Sequence, residues 1–383
     1  MPDAAKHSDL QNALEELFTP SFEKKTPFHP LAGAFAFYGA GGLGKLGYQL
    51  FEKIGIKPTC FLDMNRESSQ LYGIPVRHPE DLPAADKEPL TVVISVVNNP
   101  VAPIAAYLKS LGYRNIRYFY DVTEAYREGN LISNGWFYGD PTPEDREKIP
   151  RVFHRLADDR SRCAYLQMLY WRLKREEKVF CDYRPDPGTK WYPPDIIPQG
   201  FTPEVMLDGG THDGSILLRH IEKVGTRLEK ILAFEPDPDN FDALRRGITE
   251  LPGGRKDHIE IHRLALGENN ATVRFAPRRD LASCVTGDGD IEVRQISIDS
   301  LNLRRLDLIK LHIEGSEYPA VCGGIETFQR CRPAMALTIY HNTDGLWKIQ
   351  EFLFRNLDNY RFYIRLHAYC GIGCILYAVP GEL

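Results

Sequence analysis

The ten residues Val205-Met206-Leu207-Asp208-Gly209-Gly210-Thr211-His212-Asp213-Gly214, VMLDGGTHDG, decide the fold of this 383-residue chain. Three apolar residues run into an acid and a glycine turn, and SILLRHIEKV follows with apolar residues at helical spacing. A strand, a tight loop and a helix in that order open a parallel α/β sheet. Outward from there, KILAFEPD reads as the next strand, DNFDALRRGI as the next helix and IEIHRLALG as a third strand. ATVRFAP and IEVRQISID read as antiparallel additions. LDLIKLHIEG, AMALTIYH, YRFYIRLHAY and GCILYAVP complete the strands, with GLWKIQEFLFRNL an amphipathic helix among them. The all-apolar ILAF and MALTI suit central parallel positions. The last two strands leave no room for a helix between them and should pair antiparallel.

The charges in the loop narrow its ligand. Asp208 opens it and Asp213 stands near its end, and two carboxylates repel a pyrophosphate. They suit instead a ligand with an ammonium and a sulfonium. Gly210 lets the backbone approach a bulky nucleoside, and the helix N-terminus that follows can take a carboxylate. Glu235 ends the next strand, 27 residues after Asp208, placed to accept both ribose hydroxyls. These are the needs of S-adenosylmethionine.

A second glycine loop lies upstream, in FAFYGAGGLGKLGYQLFEKIG. Gly39, Gly41 and Gly44 form a GxGxxG between a strand and a helix, and Asp63 closes the next strand 22 residues after Gly41. With no charge inside the loop, its N–H groups and the helix dipole suit a phosphate. A nucleotide or nucleotide-sugar is expected there, or alternatively tight strand–helix packing alone. TCFLDMN and TVVISVVNN read as further strands, APIAAYLKSLGY as a helix and IRYFYDV as another strand. Leu10, Leu14, Leu17 and Phe18 mark a short amphipathic helix before them. Pro143 with Glu144 and Asp145 starts a helical stretch carrying Phe153, Leu156, Ala157, Tyr165, Leu169 and Leu173. DYRPDPGTKWYPPDIIPQGFTP is too rich in breakers for a long element and reads as a linker.

Composition excludes several classes. A formal net charge of -5 without a basic stripe gives no reason to expect nucleic acid. The polar start MPDAAKHSDLQNALEELF lacks the apolar centre of a signal peptide, and no apolar run approaches the ~20 residues of a membrane span. The eight cysteines form no CxxC, and CGIGC has no second pair to complete a zinc set. Reduced thiols, a cytoplasmic location and no membrane insertion are the expectations; the oligomeric state is not encoded.

The C-terminal half resembles the FkbM family of methyltransferases. WYPPDII, VMLDGGTHDGS, AFEPDPDNF, RLALGENNATVRF, QISIDSL, LIKLHIEGSEYPAVCGG and CRPAMALTIYH are similar to that family's blocks in order, over roughly 190–380. LADDRSRCAYLQMLYWRL resembles the lead-in of longer members. The resemblance implies a class I methyltransferase fold with a seven-stranded mixed sheet, S-adenosylmethionine as cofactor and transfer to a hydroxyl of a sugar, glycan precursor or natural product. Cofactor contacts are expected from Asp208, Gly209, Gly210, Thr211, Asp213, Gly214, Glu235, Pro236 and Ala265. Where the family has Asp before its EG pair, this sequence has His312. FYGAGGLGKLGYQLFEK, FLDMN and YGIPVRHPEDL are similar to small nucleotide-sugar-binding Rossmann modules.

The resulting expectation is an α/β chain of two Rossmann-like domains. A helix and lead-in span 1–30, a Rossmann-like module 31–130, a helical connector and Pro-rich linker 131–203, and the methyltransferase domain 204–383. A hydroxyl acceptor must lose a proton, which calls for a base beside the methyl group. His312 and Glu314 end one strand and His341 the next, so His312 is expected as base, with Glu314 and His341 orienting the acceptor. A metal held by His312, Glu314, His341 and Asn342 has workable geometry but no motif spacing, and none is expected. His212 lies inside the cofactor loop, Trp191 and Tyr192 could form a lid, and Glu317 could face the pocket. Two other functions stay open: a non-catalytic S-adenosylmethionine-binding protein, and an NAD(P)-dependent oxidoreductase run by the first domain.

Overall fold

The computed structural model describes residues 2–19, 29–65, 69–126, 141–198, 200–212, 214–251, 255–277, 283–287 and 289–383. The N-terminal strands are β1 (Phe35–Tyr38), β2 (Cys60–Leu62), β3 (Gln70–Leu71), β4 (Ile74–Arg77), β5 (Thr91–Ile94) and β6 (Asn115–Tyr118). They form one sheet in the order β3-β4-β2-β1-β5-β6, parallel except for the β3–β4 hairpin. That hairpin went unread in the sequence. Its turn is Tyr72-Gly73, both at positive φ (53° and 74°), which is the geometry a two-residue turn needs to match strand twist. IRYFYDV divides between β6 and a short helix, Phe119–Glu124, instead of one strand.

The helical middle also divides. Thr142 and Asp145 form a reciprocal capping box, Pro143 takes the first turn, and the helix runs Pro143–Arg155. A second helix, Asp159–Leu169, starts on the Asp158 side chain. Between them Leu156 bridges Phe362 and the Ala157 N–H donates to Phe362 O at 2.8 Å. The run of apolar positions read as one helix is therefore two, broken where the chain joins a strand. The helix Pro2–Glu16 packs on Asp159–Leu169 through Leu10 and Leu14, both buried.

The C-terminal strands are β7 (Val205–Gly209), β8 (Lys230–Phe234), β9 (Ile259–His262), β10 (Ala265–Leu266), β11 (Ala271–Ala276), β12 (Cys284–Val285), β13 (Ile291–Ile296), β14 (Leu308–Leu311), β15 (Ala334–Thr338), β16 (Tyr360–Leu366) and β17 (Cys374–Pro380). Seven of them make a mixed sheet in the order β16-β17-β15-β14-β7-β8-β9. β17 runs antiparallel to both neighbours, as the short connection to β16 requires. β10 to β13 form a separate four-stranded sheet, so ATVRFAP and IEVRQISID do not extend the main one.

Strand alternation divides the core in two. Leu207, Ile309, Met335, Leu337 and Leu376 face one way, onto the helices Asp159–Leu169 and Gly345–Asn356. Met206, Leu308 and Ala334 face the other, onto the helix Ser215–Val224. Ala336 and Tyr377 lie on that second face too, under the linker residues Trp191, Ile196 and Ile197. The linker is held by polar contacts. Asp186 O accepts from His367 Nδ1 at 2.6 Å, and His367 Nε2 accepts from the Tyr377 hydroxyl at 2.8 Å. The two halves of the chain also touch: Tyr369 N–H donates to Val97 O at 2.8 Å, just beyond β5. Among the described residues no helix is long and apolar enough to cross a membrane.

With one ring nitrogen donating and the other accepting, His367 is locked neutral, and burial holds its pKa down at about 4. The unfolded chain protonates this imidazole near pH 6.5, so it binds more protons than the native state between about pH 6.5 and 4. The His367 contribution is complete above about pH 6.5 and is lost as pH falls towards 4. Urea denaturation across this range should show His367→Gln losing on the order of 2 kcal/mol less stability on acidification than the wild type. Parallel curves would refute the role.

Candidate active site

The site begins with two residues that the strand register makes neighbours. In the parallel pair β7–β14, Asp208 stands opposite Lys310 on the face that carries Met206 and Leu308. Their side chains form an ion pair at 2.8 Å with at most 1% of either exposed. Lys310 Nζ donates as well to Gly209 O at 3.1 Å and Gly210 O at 2.6 Å. The Trp191 ring lies over this ammonium, 5.2 Å away, and closes it from water. The lysine thus ties the end of β14 to the glycine loop and neutralises Asp208.

Asp208 was expected to meet a ligand ammonium, and the structure corrects this: it is wholly buried and spent on Lys310. Gly209, Thr211 and Gly214 are also buried behind the loop, Thr211 Oγ1 donating to Asp208 O at 3.0 Å. Asp213 lies outside the described residues. Gly210 is the residue on the ligand side. It has φ 70°, and a Cβ there would stand 1.9 Å from His312 O, so only glycine lets β7 and β14 close to this distance.

At the end of β8, Glu235 turns back to the loop. One carboxylate oxygen accepts the His212 N–H at 2.8 Å and the other accepts the Asp237 N–H at 3.0 Å. Burial raises its pKa against these two bonds. Asp237 caps the helix Pro238–Thr249 and accepts from Ser283 Oγ at 2.8 Å. Glu235 lines an open cavity at the end of β8. Gly210, His212, Pro236, Leu264, Ala265 and Leu266 line it further, with Phe275, Ser283, Cys284 and Val285 from the small sheet. Of the small sheet only Ala265, on β10, was expected here; ATVRFAP read as a sheet extension, and nothing local marks it as a pocket wall.

His312, Ile313, Glu314 and Ser316 line the same cavity. As the alternation in LIKLHIEG implies, His312 continues the Lys310 face while Ile313 packs with Leu311. The His312 and His341 rings are parallel within 3°, with centroids 5.1 Å apart. Glu314 Oε1 lies 3.3 Å from His312 Nε2, and Glu314 Oε2 lies 3.6 Å from His341 Nε2. Behind them Glu317 Oε1 accepts from His341 Nδ1 at 2.7 Å and from Thr338 Oγ1 at 2.6 Å. Glu314 has φ 53°, a left-handed conformation that costs a non-glycine residue about 1 kcal/mol and so must be held by its surroundings.

Charge is divided unequally in this cluster. Burial, with the Lys190 ammonium next, pushes the His312 pKa well below its usual range, leaving a neutral imidazole. Burial opposes a charged His341, but Glu314 and Glu317 more than offset it and raise that pKa. Glu317 is lowered despite burial, by the His341 charge and hydrogen bond. Removal from water raises Glu314 to about 7. Trp191 packs at 5.8 Å from the His312 ring, while Tyr192 bonds His220. Asn342 is engaged with Gly315 O at 2.8 Å.

Residues 208–369 match the family model of the methyltransferase FkbM domain. This stretch is an FkbM methyltransferase domain. A methyltransferase FkbM from Methylobacillus flagellatus KT has a similar fold, with a TM-score of 0.69 at 18% identity over 98% of this chain and 99% of that one. The likeness in fold thus reaches beyond the FkbM domain to the N-terminal sheet. An SAH-bound methyltransferase of Podospora anserina covers 68% of this chain and 94% of its own, with a TM-score of 0.32 and 13% identity. One from Geobacter sulfurreducens covers 68% and 96%, with a TM-score of 0.31 and 12% identity. No curated protein matches the chain.

The first glycine loop is closed on itself. Asp63 Oδ2 accepts the Ala40 N–H at 2.7 Å and Oδ1 accepts the Asn65 N–H at 2.8 Å. A Cβ on Gly44 would stand 1.9 Å from Gly39 O, so this glycine serves the close approach of helix to loop. Gly39, Gly44 and Asp63 take part in this local packing, whereas a Cβ on Gly41 would meet nothing within 4 Å.

Removing Lys310 alone leaves a carboxylate buried without its partner. Lys310→Met should cost about 3–5 kcal/mol in urea denaturation, and the double variant Asp208→Asn/Lys310→Met clearly less. Strictly additive losses would contradict the ion pair.

Proposed function

We propose that the FkbM domain transfers a methyl group from S-adenosylmethionine to a hydroxyl oxygen of a sugar, glycan precursor or natural product. The carrying observation is one cavity lined at once by Glu235, by His312 and Glu314, and by apolar side chains. The residues present fit this ligand. Gly210 keeps the loop backbone open, Ala265, Leu264 and Leu266 offer apolar contact to a base, and each Glu235 oxygen keeps a lone pair for a ribose hydroxyl. The bound cofactor supplies an electrophilic methyl group.

The chain's own part is alignment and charge. In-line attack depends on an acceptor held close to the methyl carbon, which contributes much of the rate. His312, Glu314 and His341 sit where such an acceptor would lie, at the C-terminal ends of β14 and β15. We assign them to binding the hydroxyl and promoting the loss of its proton. Trp191, packed on His312, shields that end of the cavity from water.

Isothermal titration of the full-length protein with S-adenosylmethionine should show saturable binding that Glu235→Ala weakens by at least about tenfold, two ribose hydrogen bonds being lost. Labelled methyl groups should pass to a hydroxyl-bearing acceptor and give an alkali-stable ether. Absence of binding by the folded wild type would overturn the reading.

A further inference from the structure

The His312–Glu314–His341 cluster has more organisation than hydroxyl binding requires. Its three ligand-capable atoms lie within 4.8 Å of one another. The two N···O separations, 3.3 and 3.6 Å, are close to the edges of a coordination polyhedron. Metal–ligand bonds of 2.0–2.2 Å put neighbouring ligand atoms about 3.0–3.6 Å apart.

A second layer fixes the first. Glu317 is 1% exposed and receives four hydrogen bonds, from His341 Nδ1, Thr338 Oγ1, Ile313 N and Gly315 N. The bond from Nδ1 sets the His341 tautomer and turns Nε2 towards Glu314. A carboxylate behind a histidine in this way is the usual support of a metal ligand. Glu314 is fixed by its left-handed backbone, since Gly315 on its C-terminal side is itself tied through the Glu317 carboxylate.

We propose that His312 Nε2, a Glu314 carboxylate oxygen and His341 Nε2 bind a divalent first-row transition ion at the acceptor end of the cavity. Two imidazoles and one carboxylate suit manganese, iron(II) or zinc better than magnesium or calcium. Three protein ligands leave positions open for an acceptor oxygen. The ion makes the acceptor hydroxyl more acidic, as it does for bound water. The O–H bond breaks and its proton leaves to solvent. The oxygen pair forms the bond to the methyl carbon as the carbon–sulfur bond breaks, its pair remaining on the neutral thioether. The ion keeps its oxidation state. His312 is then a ligand and not the proton acceptor expected from the sequence. The role in catalysis rests on the proposed function; the binding of the ion does not.

The test uses full-length protein stripped with a chelator, with Mn²⁺ read by loss of the free-ion resonance signal and Zn²⁺ by competition with a chromophoric chelator. Wild type should take up about one ion per chain. Glu317→Gln should weaken uptake by roughly 10–100-fold, and His312→Ala and Glu314→Gln by more. S-Adenosylmethionine titration shows whether each variant is folded and keeps its pocket. Glu235→Ala should lose the cofactor and keep the ion, so failure of the methyltransferase reading and failure of the metal site give different results. Neither ion bound at a saturable site by the wild type, or equal uptake by His312→Ala, would overturn the proposal.

Discussion

One buried ion pair, Asp208 with Lys310, holds the site together. Burying two charges is costly, and a buried pair often adds little net stability. Here the ammonium also donates to the carbonyls of Gly209 and Gly210, so the pair does something an apolar pair could not. It fixes the peptide planes of the loop that must approach the ligand. It brings β14 against β7 at the point where Gly210 meets His312 O. The position of His312, and so of the acceptor end, follows from that contact. Trp191 completes the arrangement by lying over the ammonium and against the His312 ring, so the linker is part of the site.

The sequence made the local units readable. VMLDGG and AFEPD carry strand, turn and acid within a few residues, and the alternation in LIKLHIEG puts His312 on the Lys310 face without reference to any other segment. What could not be read was the partner of each charge. Asp208 and Lys310 are 102 positions apart, and only the strand order joins them. An acid at the start of a glycine loop looks the same whether it faces a ligand or a lysine behind the strand, so the role given to Asp208 was wrong while that of Glu235 stands as proposed. The walls supplied by Phe275 and Val285 were hidden for the same reason, since two-residue strands such as β12 have almost no pattern of their own. Leu156 was misread because its apolar character serves a strand contact as well as it serves a helix.

The two glycine loops of this chain use one device. In each, the acid ending the second strand accepts a backbone N–H of the loop before it: Asp63 from Ala40, Glu235 from His212. That bond alone therefore does not mark a ligand site. What separates the loops is what stands across from them. Glu235 faces an open cavity that His312 and Glu314 also line. Beyond the first loop, at the end of β5, the Tyr369 N–H and the Cys370 thiol of the C-terminal half donate to Val97 O and Val96 O. The crevice where an open α/β sheet would take a ligand is thus beside a contact between the two halves. The N-terminal sheet is then best understood as a support. By holding the 366–374 loop it fixes the end of β16 and the start of β17, and β17 is the strand that pairs with β15 just before His341.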